Sequence, residues 1–380
     1  MPFRETDRVK QREALVQAWK SGMYRVADLA RRFGVSRPTA YLWIERHASS
    51  ESLSDRSRAP HQIPHRSDPE MMDEVLRVRK EHPHWGPKKL VAVLRYREPD
   101  KAWPAPSTVG DLLKSEGLIA PRRRRNREVL EREPLIQPAY AGQVMTADFK
   151  GHFRLGNGRY CYPLTIADPY SRFIYAIEAL DSPSTAGARP VFERIFRKHG
   201  LPEMIVTDNG EPFCAPQGFA RLSRLSVRWL RLGIDVRQTR PGRPEENGRH
   251  ERMHRTLKTE TTRPPEQNRP RQQRRFNGFR FTFNYERPHE SLGQRPPASV
   301  HFDPLRKFPR RVPELVYAGH FEVRRVRCGG EIRWRGERFF LSQCLAGERV
   351  GFEEVDDGVW SLYFGAKLLG RFHERERVLR

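Results

Sequence analysis

The sequence predicts a multidomain α/β protein: N-terminal helix-turn-helix modules, a central mixed sheet flanked by helices, and a small C-terminal β-barrel. Three observations predict it. Apolar residues at helical spacing, broken by turn residues, fill 1–118. Strand-like and helical runs alternate from about 137 to 263, and short alternating strands separated by glycines occupy the tail. The domain bounds that follow are 1–48 and 68–118 for two helical modules, with linkers at 49–67 and 119–136. A core with a helical extension spans 137–305, and a small β domain spans 312–375.

In the first module, Val26-Ala27-Asp28-Leu29-Ala30-Arg31-Arg32-Phe33 carries apolar residues at helical spacing. Gly34 supplies a tight turn, Val35 packs into it, and Ser36 is a good N-cap for the next helix. That helix, 37–46, buries Ala40, Trp43 and Ile44 and leaves Arg37, Thr39, Tyr41 and Arg46 to reach toward a DNA major groove. The polar stretch 49–67, rich in Ser, Arg and Pro, reads as a linker.

The second module contains His82-Pro83-His84-Trp85-Gly86-Pro87 and an amphipathic run to Leu94, then a helix opened by a Pro106-Ser107 cap. It suits either a second DNA-reading unit or a packing unit. His82 and His84 have no cysteine partners at metal-ligand spacing, so they read as structural. The following linker carries Arg122-Arg123-Arg124-Arg125, placed to lie along DNA phosphates.

In the core, strands are expected at 143–150, 159–168 and 172–180, a helix at 184–199 closed by Gly200, a strand ending at Asp208, a helix near 217–232, a strand at 234–239 and a helix carrying Glu251. Asp148 closes the first strand. Asp208 ends another and is followed by an Asn209-Gly210 turn. Asn247 and the Pro- and Gly-rich run before it read as the start of the Glu251 helix. Acids at strand ends face the crevice where open α/β sheets bind ligands. Hard cations such as Mg²⁺ prefer oxygen ligands. Three acids converging from separate elements can hold two such ions, which activate a nucleophile and stabilise the leaving oxygen of an in-line phosphoryl displacement. Asp148, Asp208 and Glu251 are therefore the candidate catalytic and metal-binding residues, with Mn²⁺ as a substitute for Mg²⁺. Asp168 and Asp181 read as solvated loop carboxylates or caps.

The partner is bounded by charge. The 380 residues carry a formal net charge of +24, with 31% charged and 37% hydrophobic residues. An arginine-rich genome accounts for part of that excess but not for its clustering in 122–125 and around Glu251, which matches a phosphate backbone. Lys150, Arg252, Arg255 and Lys258, beside the acids, are the candidate DNA contacts there. No run approaches the roughly 18 apolar residues needed to span a bilayer, and the N-terminus lacks a signal-peptide core. Cys161, Cys214, Cys328 and Cys344 lie far apart with no CxxC pair, so neither disulfides nor zinc is indicated and a reduced cytoplasm fits.

The strand around Asp148, Thr207-Asp208-Asn209-Gly210, Pro241-Gly242-Arg243-Pro244 followed by Asn247-Gly248 and Glu251, and Tyr285-Glu286-Arg287-Pro288-His289 through Pro297 together resemble the integrase-core transposases of bacterial insertion sequences. The resemblance covers nearly the whole chain. It implies a ribonuclease H-like core shared with retroviral integrases, an acidic triad at Asp148, Asp208 and Glu251, and an SH3-like C-terminal domain that touches DNA, for which dimerisation or capping is the alternative. It further implies 3′-end cleavage and strand transfer on double-stranded DNA by a homodimer or larger assembly at the nucleoid. One departure is a gap from the second Asp to the Glu that is a few residues longer than usual. The extra length falls in 211–232, read as a surface helix region where insertions are tolerated. Spacing would favour Glu245 or Glu246. Helix phase favours Glu251, which aligns with His254, Arg255 and Lys258 at i+3, i+4 and i+7 while Met253 and Leu257 face the core. A DNA-binding regulator that lost catalysis, or a metal nuclease that cuts without joining, remain the competing functions.

Charge of this size has a measurable consequence. DNA affinity is expected to fall steeply with salt, each neutralised phosphate adding about −0.9 to the slope of log K against log salt. A flat dependence in a fluorescence-anisotropy titration would mean that the cations serve something else.

Overall fold

The computed structural model describes residues 7–56, 67–119, 136–215, 219–240, 248–376 and 378–379. The chain divides into two compact units, residues 1–66 and 67–380.

The first unit holds three helices, α1 (Arg8–Lys20), α2 (Val26–Phe33) and α3 (Arg37–Ala48). Gly34 ends α2 because it takes φ 64°, and its N–H turns back to the carbonyls of Ala30 and Arg31. Ser36 caps α3 by accepting from the Thr39 N–H, and Pro38 sits in the first turn. Leu15, Ala30, Ala40 and Ile44 form the core. The linker expected at 49–67 is partly folded: Arg12 donates to the Leu53 carbonyl at 2.7 Å and pairs with Asp55 at 2.6 Å, drawing residues 49–56 onto α1.

The second unit opens with α4 (Pro69–Glu81), α5 (Pro87–Arg97) and α6 (Pro106–Ser115). Val75, Val78, Trp85, Leu90, Leu94 and Leu113 fill the space between them. The His82 ring stacks on Trp85 at 3.7 Å. The expected Ser107 cap is not made: Pro106 takes the first helical position, and Ala105 caps α6 with no side-chain bond.

A mixed sheet follows. Its strands are β1 (Val144–Phe149), β2 (Phe153–Arg154), β3 (Tyr160–Ala167), β4 (Ile174–Leu180), β5 (Met204–Thr207) and β6 (Asp235–Gln238). Strands β1, β5 and β6 are parallel neighbours, β3 is antiparallel to β1, and β4 lies outside β3. β2, too short to read from the sequence, extends the β1 pairing along β3. Helices cover both faces: α7 (Thr185–His199) and α8 (Arg224–Arg231) on one, α9 (Gly248–Thr261) and α10 (Arg269–Phe281) on the other. On the first face Phe192, Phe196, Phe213 and Trp229 pack with Met145 and Ile205. On the second, Met253, Leu257, Phe276 and Phe279 pack with Ile174 and Ile177.

An exposed edge strand invites unwanted pairing, and here side-chain amides cover β4. Gln273 accepts from the Ala179 N–H and donates to the Ile177 carbonyl, both at 2.8 Å. Asn284, in a wide π turn after α10, does the same at Ile174, both bonds 2.9 Å.

The chain ends in β7 (Glu322–Arg325), β8 (Glu331–Trp334), β9 (Glu337–Phe340), β10 (Arg349–Asp356), β11 (Val359–Phe364), β12 (Lys367–His373) and β13 (Val378–Leu379). They pair as a five-stranded antiparallel sheet and a β8–β9 hairpin, joined where Trp334 packs on Phe352 and Trp360. This β region packs on α8, with Arg231 and Glu348 3.2 Å apart. The described residues of 211–232 are therefore not the surface segment expected of them. Phe213, Cys214, Leu225 and Trp229 are all buried.

Candidate active site

The parallel register of β1 on β5 pairs Ala147 with Thr207, so the next residues, Asp148 and Asp208, emerge side by side from adjacent strand ends. Gly210 donates its N–H to Asp208 at 3.2 Å. A Cβ at Gly210 would stand 3.1 Å from that carboxylate, so the turn after β5 admits little bulk. Helix α9 brings the third acid. Burial, then the charge of Asp208, and to a lesser degree that of Glu251, push the Asp148 carboxyl up to about 7, against the pull of Lys150. Asp208 is also raised by burial, with the Gly210 N–H opposing. Among the described residues α9 begins at Gly248, so Glu251 lies in its first turn.

A buried hydroxyl holds α9 to the sheet. Thr165 pairs with Asp148 across β1 and β3. Its Oγ1 donates to the Asp148 carbonyl at 2.9 Å and lies 2.6 Å from His250 Nε2 and 2.7 Å from His254 Nε2. A hydroxyl has one proton and two acceptor lone pairs. With the proton on the Asp148 carbonyl, both imidazoles must donate their Nε2–H. His250 Nδ1 then faces the Thr146 hydroxyl at 3.0 Å, and His254 Nδ1 faces Asp148 Oδ2 at 3.6 Å. Burial pushes His250 down to about 4 and, with His250 adding repulsion, His254 down to about 2, so both rings are neutral near pH 7. This corrects the placement of His254 on the cationic face of α9.

A groove of about 520 Å³ runs past Thr146 and His250, lined by Lys89, Arg172, Arg249, Arg252 and Arg287 together with Asp168 and Glu290. Burial lowers Lys89 to about 8 and, with crowding by Arg249 and Arg252, Arg172 to about 10. Two acids, Asp168 and Glu290, share the lining with these five cations, and the positive excess favours a polyanion between them.

The comparisons with known proteins fit this geometry. Residues 138–244 and 232–297 each match an Integrase core domain family. Residues 11–61 match a Helix-turn-helix domain, 39–113 a Homeodomain-like domain, and 321–377 the IS481 family transposase, C-terminal domain. The chain therefore carries an integrase core and a C-terminal domain of the IS481 transposase kind. The chain is 30% identical over 128 residues to the Gag-Pol polyprotein of baboon endogenous virus (strain M7), covering 33% of this chain and 7% of that protein. It is 31% identical over 105 residues to the Pol polyprotein of Radiation murine leukemia virus (strain Kaplan), 27% and 16% of the two chains. The matched segment is thus a small part of these much longer relatives. Among solved structures it is similar to a chain of the simian T-cell lymphotropic virus intasome with the PP2A subunit B56 gamma, at TM-score 0.38 and 15% identity over 77% of this chain and 97% of that one. It is also similar to the HTLV-2 integrase catalytic core domain in complex with magnesium, dimeric form, at 0.34 and 14% over 43% and 99%.

The other expected contact residues divide. Arg37 and Tyr41 project from α3, whereas Thr39 hydrogen-bonds Ser36 and Arg46 lies on the Trp43 ring at 4.8 Å. Arg252, Arg255 and Lys258 are exposed on α9, and Lys150 stands close enough to act on Asp148. Arg122, Arg123, Arg124 and Arg125 lie outside the described residues. Asp168 is not a solvated loop acid. It is buried and accepts from Gly142 N–H, Tyr170 N–H and the Ser171 hydroxyl. Asp181 is exposed and pairs with Arg269. Thr165, His250, Arg172 and Arg249 escaped the sequence reading, although His250 and His254, four apart around Glu251, were a visible signal of one helix face.

The Thr165 clamp can be measured. Thr165→Val leaves two buried imidazole N–H groups without their partner, at about 1–3 kcal/mol each where water cannot reach, less whatever the site relaxes. Urea unfolding followed by tryptophan fluorescence is expected to show a loss of about 2–4 kcal/mol for Thr165→Val and much less for Thr165→Ser. Equal losses would mean that the hydroxyl does not hold α9.

Proposed function

We propose that the protein binds the ends of its insertion sequence, cleaves them to free 3′-hydroxyls and joins those hydroxyls to target DNA. The observation that carries this reading is the crowding of Asp148 by both Asp208 and Glu251, at neighbouring strand ends, with a cationic groove running past Thr146 and His250. Carboxylates arranged to repel one another are costly unless a cation joins them. An all-oxygen donor set suits a hard divalent ion, Mg²⁺ or its substitute Mn²⁺. Asp148 and Asp208 would hold two such ions between them, with Glu251 completing one site; the ions would supply activation of the attacking oxygen and stabilisation of the leaving one.

The chain's own residues do the rest. β1 and β5 fix the two aspartates. The Thr165 clamp orients both histidines and burial keeps them neutral, so neither competes with the ions by adding fixed charge. Lys150, Arg252, Arg255 and Lys258 hold the phosphates on either side of the scissile bond, and Arg37 and Tyr41 of α3 read the element's end. Joining needs two ends together, so a homodimer or larger assembly on double-stranded DNA is the working form.

Glu251→Gln is expected to abolish Mg²⁺-dependent cleavage and strand transfer on native element ends while DNA affinity stays near normal, and Glu246→Gln to keep most activity. The reverse pattern would show the third acid to be misassigned. Cleavage without joining by the wild type would favour a nuclease, and neither activity a regulator.

A further inference from the structure

A second cluster of ligand-type side chains lies apart from the acids. His199 is the last residue of α7, and His301 and Asp303 sit in the extension that follows α10. One donor atom from each of the three falls within 4.8 Å of the others. His199 Nδ1 is 2.7 Å and His301 Nε2 3.2 Å from the same oxygen, Asp303 Oδ1.

The far side of His301 decides how its ring is protonated. Its Nδ1 is 3.0 Å from Ser171 Oγ and 3.3 Å from Asp168 Oδ2. The Ser171 hydroxyl already donates to that same Asp168 oxygen at 2.6 Å. Nδ1 therefore faces two acceptors and must carry the proton. In the neutral ring this leaves Nε2 bare, its lone pair directed at a carboxylate oxygen. Two such atoms at 3.2 Å need something positive between them: a second proton on His301, or a metal ion. A histidine that donates Nδ1–H to a buried carboxylate and offers a bare Nε2 on the other side is the outer-shell arrangement of metal-ligating histidines. The second histidine aims at the same point, and burial lowers its pKa, which suits it to ligation as neutral imidazole.

We propose that His199, His301 and Asp303 bind a structural divalent ion of the zinc class, with Asp168 and Ser171 orienting His301 from behind. Two imidazoles and a carboxylate suit a borderline-soft ion with tetrahedral preference better than Mg²⁺. The His301 side chain is 7% exposed and stacks on Phe173 at 4.1 Å, while Asp303 is 49% exposed, which gives an ion a path in and leaves room for water as fourth ligand. The ion would staple the extension to the end of α7. The backbone prepares that approach: a Cβ on Gly200, at φ +97°, would lie 2.6 Å from the Pro304 carbonyl, and Leu201 donates its N–H to Arg306 at 2.7 Å.

The test uses untagged full-length protein stripped with a chelator, without DNA. Titration with Co²⁺ is expected to give the visible absorption bands of a four-coordinate nitrogen and oxygen site at one equivalent per chain, displaced by Zn²⁺ but not by excess Mg²⁺. Asp303→Asn and His301→Gln are each expected to weaken Zn²⁺ binding by about 10–100-fold or more. Asp148→Asn, in the acid cluster, should leave it unchanged. Zn²⁺ should raise the melting temperature of the wild type and not of Asp303→Asn. Asp303 is half exposed, so that variant decides the matter if His301→Gln does not fold. Folded wild-type protein that takes up no stoichiometric Co²⁺ or Zn²⁺, or uptake unaffected by Asp303→Asn, overturns the proposal and leaves a proton on His301 as the bridge.

Discussion

The parallel pairing of β1 with β5, from Val144 opposite Met204 to Ala147 opposite Thr207, sets the position of everything downstream. Asp148 and Asp208 are neighbours because each follows the last residue of that pairing, Ala147 opposite Thr207, and adjacent strands lie only about 4.8 Å apart. A one-residue slip would turn one acid to the opposite face. The apolar residues that forbid the slip, Met145, Ala147 and Ile205, are fully buried against α7 and α8. Core packing on one face of the sheet thus fixes the carboxylates at its end.

The third acid depends on a different kind of contact. Helix α9 meets the sheet through Met253 and Leu257 and through two neutral histidines that share one threonine hydroxyl. Apolar contact alone would let a helix rotate by a few degrees at little cost. Two directed bonds to a single buried oxygen would not. That oxygen also bonds the Asp148 carbonyl, so the helix carrying Glu251 is referenced to the strand carrying Asp148. The cations are spread around this centre on α5, α9, the β3–β4 turn and the segment after α10, which is why the groove is basic although no single stretch of sequence lines it.

Much of this was legible in the sequence, and the misses share a cause. Strands β1, β3, β4 and β5 were readable because each is a largely apolar run, and the helix-turn-helix because Gly34 and Ser36 mark its turn. The two aspartates were readable because each closes such a run. Region 211–232 was misread because Phe213 and Trp229 are buried against Phe192 of α7, and α8 also meets a β region more than 100 positions away through pairs such as Arg231 and Glu348. His254 was misread by helix phase. At about 100° per residue it lies roughly 60° from Glu251, but toward the arc formed by Met253, Leu257 and His250, and the polar partner that admits it to the interior is a threonine on another strand. β2, β9 and β13, of two to four residues, carry too little alternation to stand out.

The central claim is that Asp148, Asp208 and Glu251 form one metal-holding centre, and anomalous diffraction from crystals soaked in Mn²⁺ tests it most directly. The account predicts an anomalous peak between the Asp148 and Asp208 carboxylates, with Glu251 among the nearest oxygens. A protein that binds Mn²⁺ only elsewhere, or whose Asp148 and Asp208 carboxylates point away from a common ion, would contradict it.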